Sequence, residues 1–422
     1  MQIRAVFLAA FAFLLVQAAA AQTPDPDSYM ERLKQAEAAT ASLPAEAFRQ
    51  SGNAAGDPAL DKLVLQHSSP LQQLGTARSF FGDTDGALAA VDVLRRRQLR
   101  HPPAIVRQMA LLEHAAAENA IAAIVREARI RQIVLINEAH HVPLHRAFAQ
   151  RLATELRKIG YRYLACETFN SLGAQGANEK RYIRRNAGYY TREPVFAGFV
   201  NAALADGWTL VPYEFEDIRP RPPAEEMHLR EEMQARNLVD RIFKKDKDAK
   251  VLVLVGYSHH HKAPEAEPRF IPMGEHLRRM SGVATLHVDQ ADFIAHPDAA
   301  DENPLYAPLL AKYPSTDAVV LRNKDGSYPL LLGVGGRVDM QVIHPRYPLQ
   351  DGRPGWLASL AGRSAVPVPA NLLPVSGRRV LKATPAAASA DASPTDIILA
   401  EAGKPAPSFM LTNEKYRFEY ED

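Results

Sequence analysis

The sequence predicts an α/β protein: a mostly parallel sheet flanked by helices, with an N-terminal helical lead-in and a β-rich C-terminal region. Three observations carry this. Short apolar, β-prone runs alternate with long helical patterns between about Gln132 and Ile294, as in successive βαβ units. Four of those runs stop at a carboxylate or a histidine, and in a parallel sheet such strand ends converge on one edge, where open α/β sheets bind ligands. After about Pro297 the texture changes to short β-like runs broken by Gly and Pro.

Taken in order, residues 1–21 read as a signal peptide. Met1-Gln2-Ile3-Arg4 is a basic n-region, Ala5–Val16 an apolar stretch, and Ala18–Ala21 offers small residues for cleavage before Gln22. The apolar run is too short to span a bilayer comfortably, so the mature chain is expected to be exported, periplasmic or secreted, and soluble. Residues 22–102 form a helical N-terminal region, with helical stretches near Ser28–Gln50 and Thr84–Leu99. The pair Pro102-Pro103 marks a break, after which Ala104–Arg131 reads as alanine-rich helix.

Residues 103–296 form the α/β core. Its strands are read at Ile133–Ile136, Tyr161–Cys166, Thr209–Val211 and Val251–Val255, with a fifth at Val283–Val288. Pro143–Ile159 is helical, starting on proline and stopping at Gly160, and Glu193–Asp206 stops at Gly207. Pro223–Lys245 and Met273–Met280 complete the helices. Residues 297–422 form the β-rich region, with runs at Ala318–Arg322, Tyr328–Gly333, Met340–Ile343, Ala365–Val368, Val380–Thr384 and Ile397–Ala400. Asn323-Lys324-Asp325-Gly326 is a hairpin-type turn, and Ala386–Thr395 a small-residue loop.

Bulk properties narrow the function classes. At 422 residues, 47% apolar and 23% charged, the composition is that of an ordinary globular chain. A net charge of +2 with no basic face gives no sign of nucleic-acid binding. Cys166 is the single cysteine, which excludes an intrachain disulfide; beside Glu167 inside a strand it reads as a buried small hydrophobe. No Gly-x-Ser-x-Gly elbow, Walker loop or dinucleotide glycine fingerprint sits at a strand–helix turn, which argues against a serine hydrolase, an ATPase or a nicotinamide enzyme.

The chemistry then rests on the strand ends. Asn137-Glu138-Ala139-His140-His141 follows the first strand, and Glu138 and His140 can face one cavity, one as base and the other as its orienter. The plainer alternative is that Glu138 caps the next helix while His140 makes a local hydrogen bond. Glu167 and Glu214 end the second and third strands, where carboxylates often carry shifted pKa values. Gly256-Tyr257-Ser258-His259 closes the fourth; the glycine permits close approach, and His259 can reach the shared edge. His260 and His261 read as solvent-facing or as supports for His259.

Arg230, in Arg230-Glu231-Glu232-Met233 with Asn237 on the long helix, can clamp Glu138, Glu167 or an anionic intermediate. Arg184, Arg185 and Tyr189 are read as bordering the cleft. His141 and His145 lie four residues apart beside His140, which leaves a metal site open, with His140, His145 and His259 as candidate ligands.

Ile133–His145, Tyr161–Thr168, Arg230–Asn237 and Val251–His259 together resemble the superfamily joining erythromycin esterases, haem-uptake (ChaN-like) lipoproteins and Tiki-type membrane proteases. Its members share a strand followed by Gly-Glu-x-His, a glutamate ending the next strand, an Arg-(Asp/Glu)-x-Met helix and a second Gly-x-x-His. Asn137 stands in place of the first glycine. The resemblance implies that His140 and His259 form the central pair, Glu138 and Glu167 their acidic partners, and Arg230 an electrostatic clamp. It also implies water activation for ester or lactone hydrolysis in one branch, a divalent metal in another and haem in the third.

The leading expectation is therefore an exported hydrolase using water activated by His140 or His259 against a small-molecule ester, lactone or amide. The alternatives are a periplasmic haem or metal carrier using His140, His145 or Tyr257, a metal-dependent peptidase, and a degenerate scaffold. Cofactor requirement and oligomeric state are not legible.

Overall fold

A computed structural model of the chain describes residues 28–43, 58–93, 102–217, 219–264, 270–331, 334–360 and 362–422. The proposed signal peptide lies outside them. Four helices lead in: α1 Tyr29–Thr40, α2 Pro58–Phe80, α3 Thr84–Asp92 and α4 Pro102–Ala110. Local caps set two of their starts, Ser28 accepting from the Glu31 amide and Asp83 from that of Gly86. Helix α2 was not legible in the sequence, because Gly-, Ser- and Pro-containing stretches within it read as turns.

The core follows as β1 Ala116–Asn119, α5 Ala120–Ala128, β2 Ile133–Glu138, α6 Pro143–Arg157, β3 Tyr163–Cys166, α7 Ser171–Lys180, α8 Pro194–Ala205, β4 Thr209–Leu210, α9 Pro223–Leu238, β5 Val251–Gly256, α10 Met273–Ser281, β6 Thr285–Phe293, α11 Tyr306–Lys312, β7 Val319–Arg322 and β8 Met340–Ile343. These strands make one eight-stranded sheet in the order β1-β7-β8-β6-β2-β5-β3-β4. Strands β8, β6, β2, β5, β3 and β4 run parallel, and β7 is antiparallel to both β8 and β1. The expected mostly parallel α/β architecture is therefore present.

The register explains why the central strands are apolar throughout. Val134, Ile136, Leu164, Cys166, Leu252 and Leu254 face one layer with residues of α5, α6 and α8. Ile133, Leu135, Ala165, Val251, Val253 and Val255 face the other, against Ala235 and Leu238 of α9 and Met273 and Leu277 of α10. A strand covered on both sides cannot alternate polar and apolar positions. Cys166 is fully buried, and burial pushes its thiol well up.

Two sequence expectations need correction. Ala104–Arg131 is not one helix: Ala116–Asn119 pairs with Val319–Arg322, and the Asn119 side chain then caps α5 by accepting the Ala122 amide at 3.0 Å. Sheet pairing overrides the helix propensity of alanine there. Tyr328–Leu331, within the run read at Tyr328–Gly333, forms no strand, so Asn323–Gly326 closes a turn without a strand hairpin.

Beyond the sheet lie β9 Leu349–Gln350, β10 Arg353–Pro354, β11 Ser364–Val366, β12 Arg378–Pro385, β13 Asp396–Glu401, β14 Phe409–Leu411 and β15 Tyr416–Glu421. They form small antiparallel sheets, the largest being β13-β12-β15. Leu381, Ala383, Ile398, Phe409 and Leu411 give this region its own apolar centre. Its outer face holds the lead-in helices: Tyr29, Met30, Leu33 and Phe80 pack with Val380 and Ile397. Glu421 of β15 accepts from the Ser28 hydroxyl at 2.9 Å and the Met30 amide at 3.0 Å.

Candidate active site

The ends of β2, β3 and β5 meet at the carboxyl edge of the sheet, since these strands are parallel neighbours in the register Glu138↔Gly256 and Cys166↔Leu254. Glu138, the last residue of β2, is buried and accepts two hydrogen bonds from Arg146 of α6, Nε at 2.9 Å and Nη2 at 2.8 Å. Burial alone would push the Glu138 carboxyl up, but the Arg146 charge and hydrogen bonds, joined by His140, hold it well below the usual range. An ionised carboxylate can only accept. The His140 Nδ1, 2.8 Å from Glu138 Oε1, therefore carries the hydrogen. In the neutral ring Nε2 is then left with its lone pair.

Nε2 points toward Glu167, whose Oε2 stands 3.9 Å away. Gly256 makes this approach feasible: a Cβ there would overlap His140 Nε2 and come within 2.6 Å of Cε1 and 2.9 Å of Glu167 Oε2. Two aromatic walls fix the ring plane. Tyr190 stacks on it at 4.6 Å, and Tyr257 meets it edge-on at 5.2 Å. Tyr190 is itself placed by its amide, which donates to Thr168 Oγ1 at 3.0 Å, one residue past Glu167.

Arg146, wholly buried, also donates to the His140 carbonyl at 3.0 Å and to Glu193 at 3.2 Å. Its guanidinium lies 4.8 Å from the Tyr190 ring centre. Glu193 caps α8, accepting from Val195 at 2.8 Å and Phe196 at 2.7 Å. His140 is thus held through Glu138 and Arg146 by a residue at the start of a helix two elements away.

Glu167 is tied on the other side. Arg230 Nη2 donates to its Oε1 at 2.6 Å, and the Gly256 amide donates to its Oε2. Burial pushes Glu167 up, yet the charges of Arg230, His140 and His259 leave it lowered. Glu214, 3.4 Å from the same guanidinium nitrogen and accepting from Gln234 at 2.9 Å, is instead raised, because burial outweighs Arg230 and Glu167 repels it. Two carboxylates around one arginine are thereby driven apart in proton affinity.

His259 is buried with its Nδ1 2.6 Å from Glu231 Oε1. Burial disfavours the imidazolium, but the adjacent Glu231 charge overcomes that penalty and the His259 pKa is raised. Glu231 is fixed in turn by the Met273 amide at 2.6 Å.

The structure brings Glu138, His140, Glu167, Glu214, Arg230, Tyr257 and His259 together, as the strand ends suggested. Others are placed elsewhere. His145 turns inward: its Nδ1 accepts the Ala139 amide at 3.0 Å, its ring lies 5.8 Å from that of His344, and burial pushes its pKa well below the ordinary value. Tyr189 packs against Phe80 and leaves the stacking role to Tyr190. Arg184 pairs with Asp391 at 2.8 Å and Arg185 donates to the Ala390 carbonyl at 3.0 Å, so both dock the C-terminal loop and not the cleft. His260 and His261 are buried, not solvent-facing; His260 Nδ1 lies 2.8 Å from the Tyr257 carbonyl.

Arg146, Tyr190, Glu193 and the role of Glu231 were not singled out. Arg146 had a usable signal, because it lies one helical turn past the Pro143 start and so faces back to the strand end. Tyr190 and Glu193 had none.

The donor set does not fit a metal centre. Among the described residues no three His, Cys, Asp or Glu side chains are grouped to hold an ion. Both Glu167 oxygens are engaged by Arg230 and Gly256, and His145 faces away.

No family model matches the chain, and no curated protein matches it. Solved structures that resemble it are bacterial toxins. One described as bacterial protein toxins is 15% identical with a TM-score of 0.29, covering 68% of this chain and 64% of that one. RRSP, a MARTX toxin effector domain from Vibrio vulnificus CMCP6, is 17% identical with a TM-score of 0.26, covering 64% and 60%. A third, also described as bacterial protein toxins, is 14% identical with a TM-score of 0.31, covering 68% and 64%. The chain spans less than two thirds of the length of each of these structures. Likeness at this level carries no argument about function.

These findings correct the expected family: the similar structures are toxin domains, not erythromycin esterases, haem-uptake lipoproteins or Tiki-type proteases. Asn137 also has a task no glycine could perform. Its Nδ2 donates to the Tyr257 carbonyl and to Asp289, each at 3.1 Å, while its Oδ1 accepts the Gln290 amide at 2.8 Å.

Proposed function

We propose that the chain is a hydrolase that attacks an ester, lactone or amide with water activated by His140. The observation that carries this reading is the Glu138–His140 contact at 2.8 Å, which directs a free Nε2 toward Glu167 across a gap of 3.9 Å. A water held beside Nε2 and Glu167 gives one proton to Nε2 as its oxygen attacks the carbonyl carbon. Glu138, kept ionised by Arg146, stabilises the imidazolium that forms. His259, whose raised pKa favours the charged ring, meets the negative charge developing on the carbonyl oxygen and then protonates the leaving group. Arg230 positions Glu167 through Nη2, which also lies 3.4 Å from Glu214.

The N-terminal pattern of Met1–Ala21 supports an exported setting, and among the described residues no helix is long and apolar enough to cross a membrane.

The test is a panel of chromogenic esters, lactones and amides assayed with and without a chelator. For any substrate turned over, H140A and H259A should each lower kcat by about 10²–10⁴-fold, the range for a general acid or base. Activity that survives both substitutions ends this reading. Abolition by the chelator would replace it with a metal-dependent mechanism.

A further inference from the structure

Away from the candidate active site, Arg353 and Arg363 both lie near Asp396, where the C-terminal sheets pack against α8. Arg353 of β10 is only 3% exposed, and its Nη2 donates to Asp396 at 2.7 Å. That carboxylate is fully engaged, for it also accepts the amides of Ile397 at 3.0 Å and Met410 at 2.7 Å. Arg353 Nε and Nη1 are buried with no hydrogen-bond partner. The turn at Gly82 closes over this group; a Cβ there would come within 2.8 Å of Arg353 Nη2.

Arg363 sits on the opposite wall. It directly precedes β11, whose Ser364 and Ala365 pair with Leu411 and Met410, so the backbone that donates to Asp396 runs beside it. Its guanidinium lies against α8, where a Cβ on Gly198 would stand 3.0 Å from Nη2. Its Nη1 is buried without a partner, and among the described residues Arg363 makes no ion pair. Burial drives its pKa down; Asp396 and Glu193 oppose that, while Arg353 adds like-charge repulsion. The two acids nearby are committed, Asp396 to Arg353 and Glu193 to Arg146.

A seam with one more cation than it has available carboxylates, Arg353 buried and Arg363 partly so, and with three buried donor nitrogens that lack partners, is costly unless an anion completes it. We propose that Arg353 and Arg363 together hold a small inorganic oxyanion, of the phosphate or sulfate class, between the α/β core and the C-terminal sheets. Guanidinium groups suit tetrahedral oxyanions because several N–H donors can share the oxygens. The site would fasten the two regions to each other, independently of whether the chain is a hydrolase.

Thermal unfolding of the full chain tests this in oxyanion-free buffer titrated with sodium phosphate, sodium sulfate or, at matched ionic strength, sodium chloride. The wild type should show a saturable rise in Tm of roughly 2–5 °C with phosphate or sulfate, as expected for a ligand that binds only the folded state. R363M should lose the saturable part. It should also melt above the wild type without oxyanion, since it removes a partly buried charge whose Nη1 has no partner. R353K keeps a cation beside Asp396 and should likewise lose the saturable rise. Whichever of phosphate and sulfate saturates at lower concentration is the better fit.

The proposal is overturned by the lack of a saturable rise, by a rise reproduced by chloride, or by a rise that persists in R363M. R363M melting below the wild type in oxyanion-free buffer would do the same, by showing that Arg363 was already paired. If R353K does not fold, R363M alone decides. General salting-out is separated because it is not saturable and affects both proteins equally.

Discussion

His140 and His259 each lean on a buried glutamate, but what stands behind the glutamate differs. Behind Glu138 is Arg146, spread over both carboxylate oxygens and anchored to Glu193 at the start of α8. Behind Glu231 are a backbone amide from Met273 and, at 3.5 Å, Arg230, which is mainly engaged with Glu167 and Glu214. The first arrangement fully compensates its carboxylate and leaves the imidazole to act through Nε2. The second leaves enough uncompensated negative charge beside His259 to favour the imidazolium. In the proposed mechanism, similar dyads therefore take opposite tasks through the cation count one residue further out.

The sharpest way to break this contrast is R146M. It strands Glu138 and Glu193 as buried charges, for which loss of one partner costs about 3–5 kcal/mol. Chemical denaturation should show that loss, and His140 should lose its fixed orientation, so surviving protein should be close to inactive. A variant that unfolds like the wild type would mean the network is not held as described. A smaller effect is expected from G256A, where the added methyl meets His140 and Glu167. Overpacking of this kind costs about 1–3 kcal/mol. The loss should appear in kcat more than in KM, because the displaced group is the base.

E231Q acts on the other dyad and is the gentlest. A raised His259 pKa means that its contribution to stability is complete below the unfolded value, about 6.5, and disappears as pH rises through the folded value. Neutralising Glu231 should move the alkaline limb of the activity profile to lower pH, because the adjacent charge that raises His259 is removed. The acidic limb should stay, since E231Q leaves the His140 base and its contacts with Glu138 and Arg146 untouched. An unmoved alkaline limb would assign that limb to another group.

How much of this was legible follows from where the information lies. Strands β2, β3 and β5 announce themselves because both faces are covered, so they are apolar without interruption, and their polar ends then stand out. The Ala116–Asn119 strand does not, because an alanine-rich edge carries no β signal of its own and exists through pairing with Val319–Arg322. In the site, Glu138, His140 and Glu167 were readable from their strand-end positions. Tyr190 and Glu193 were not, because they reach His140 through the path of the chain between β3 and α8. His260 and His261 read as either solvent-facing or supports for His259, and both are buried, His260 in the helical turn after β5 and His261 just past it.

Strand β2 has a consequence for biosynthesis. It lies in the middle of the sheet, yet Ile133 must wait for Val251 on one side and Thr285 on the other. A ribosome translating the chain therefore releases an uninterrupted apolar segment long before either partner exists, an exposed strand edge of the kind that invites aggregation. Holding factors that recognise extended hydrophobic segments should engage the nascent chain in this interval and dissociate once β5 and β6 emerge.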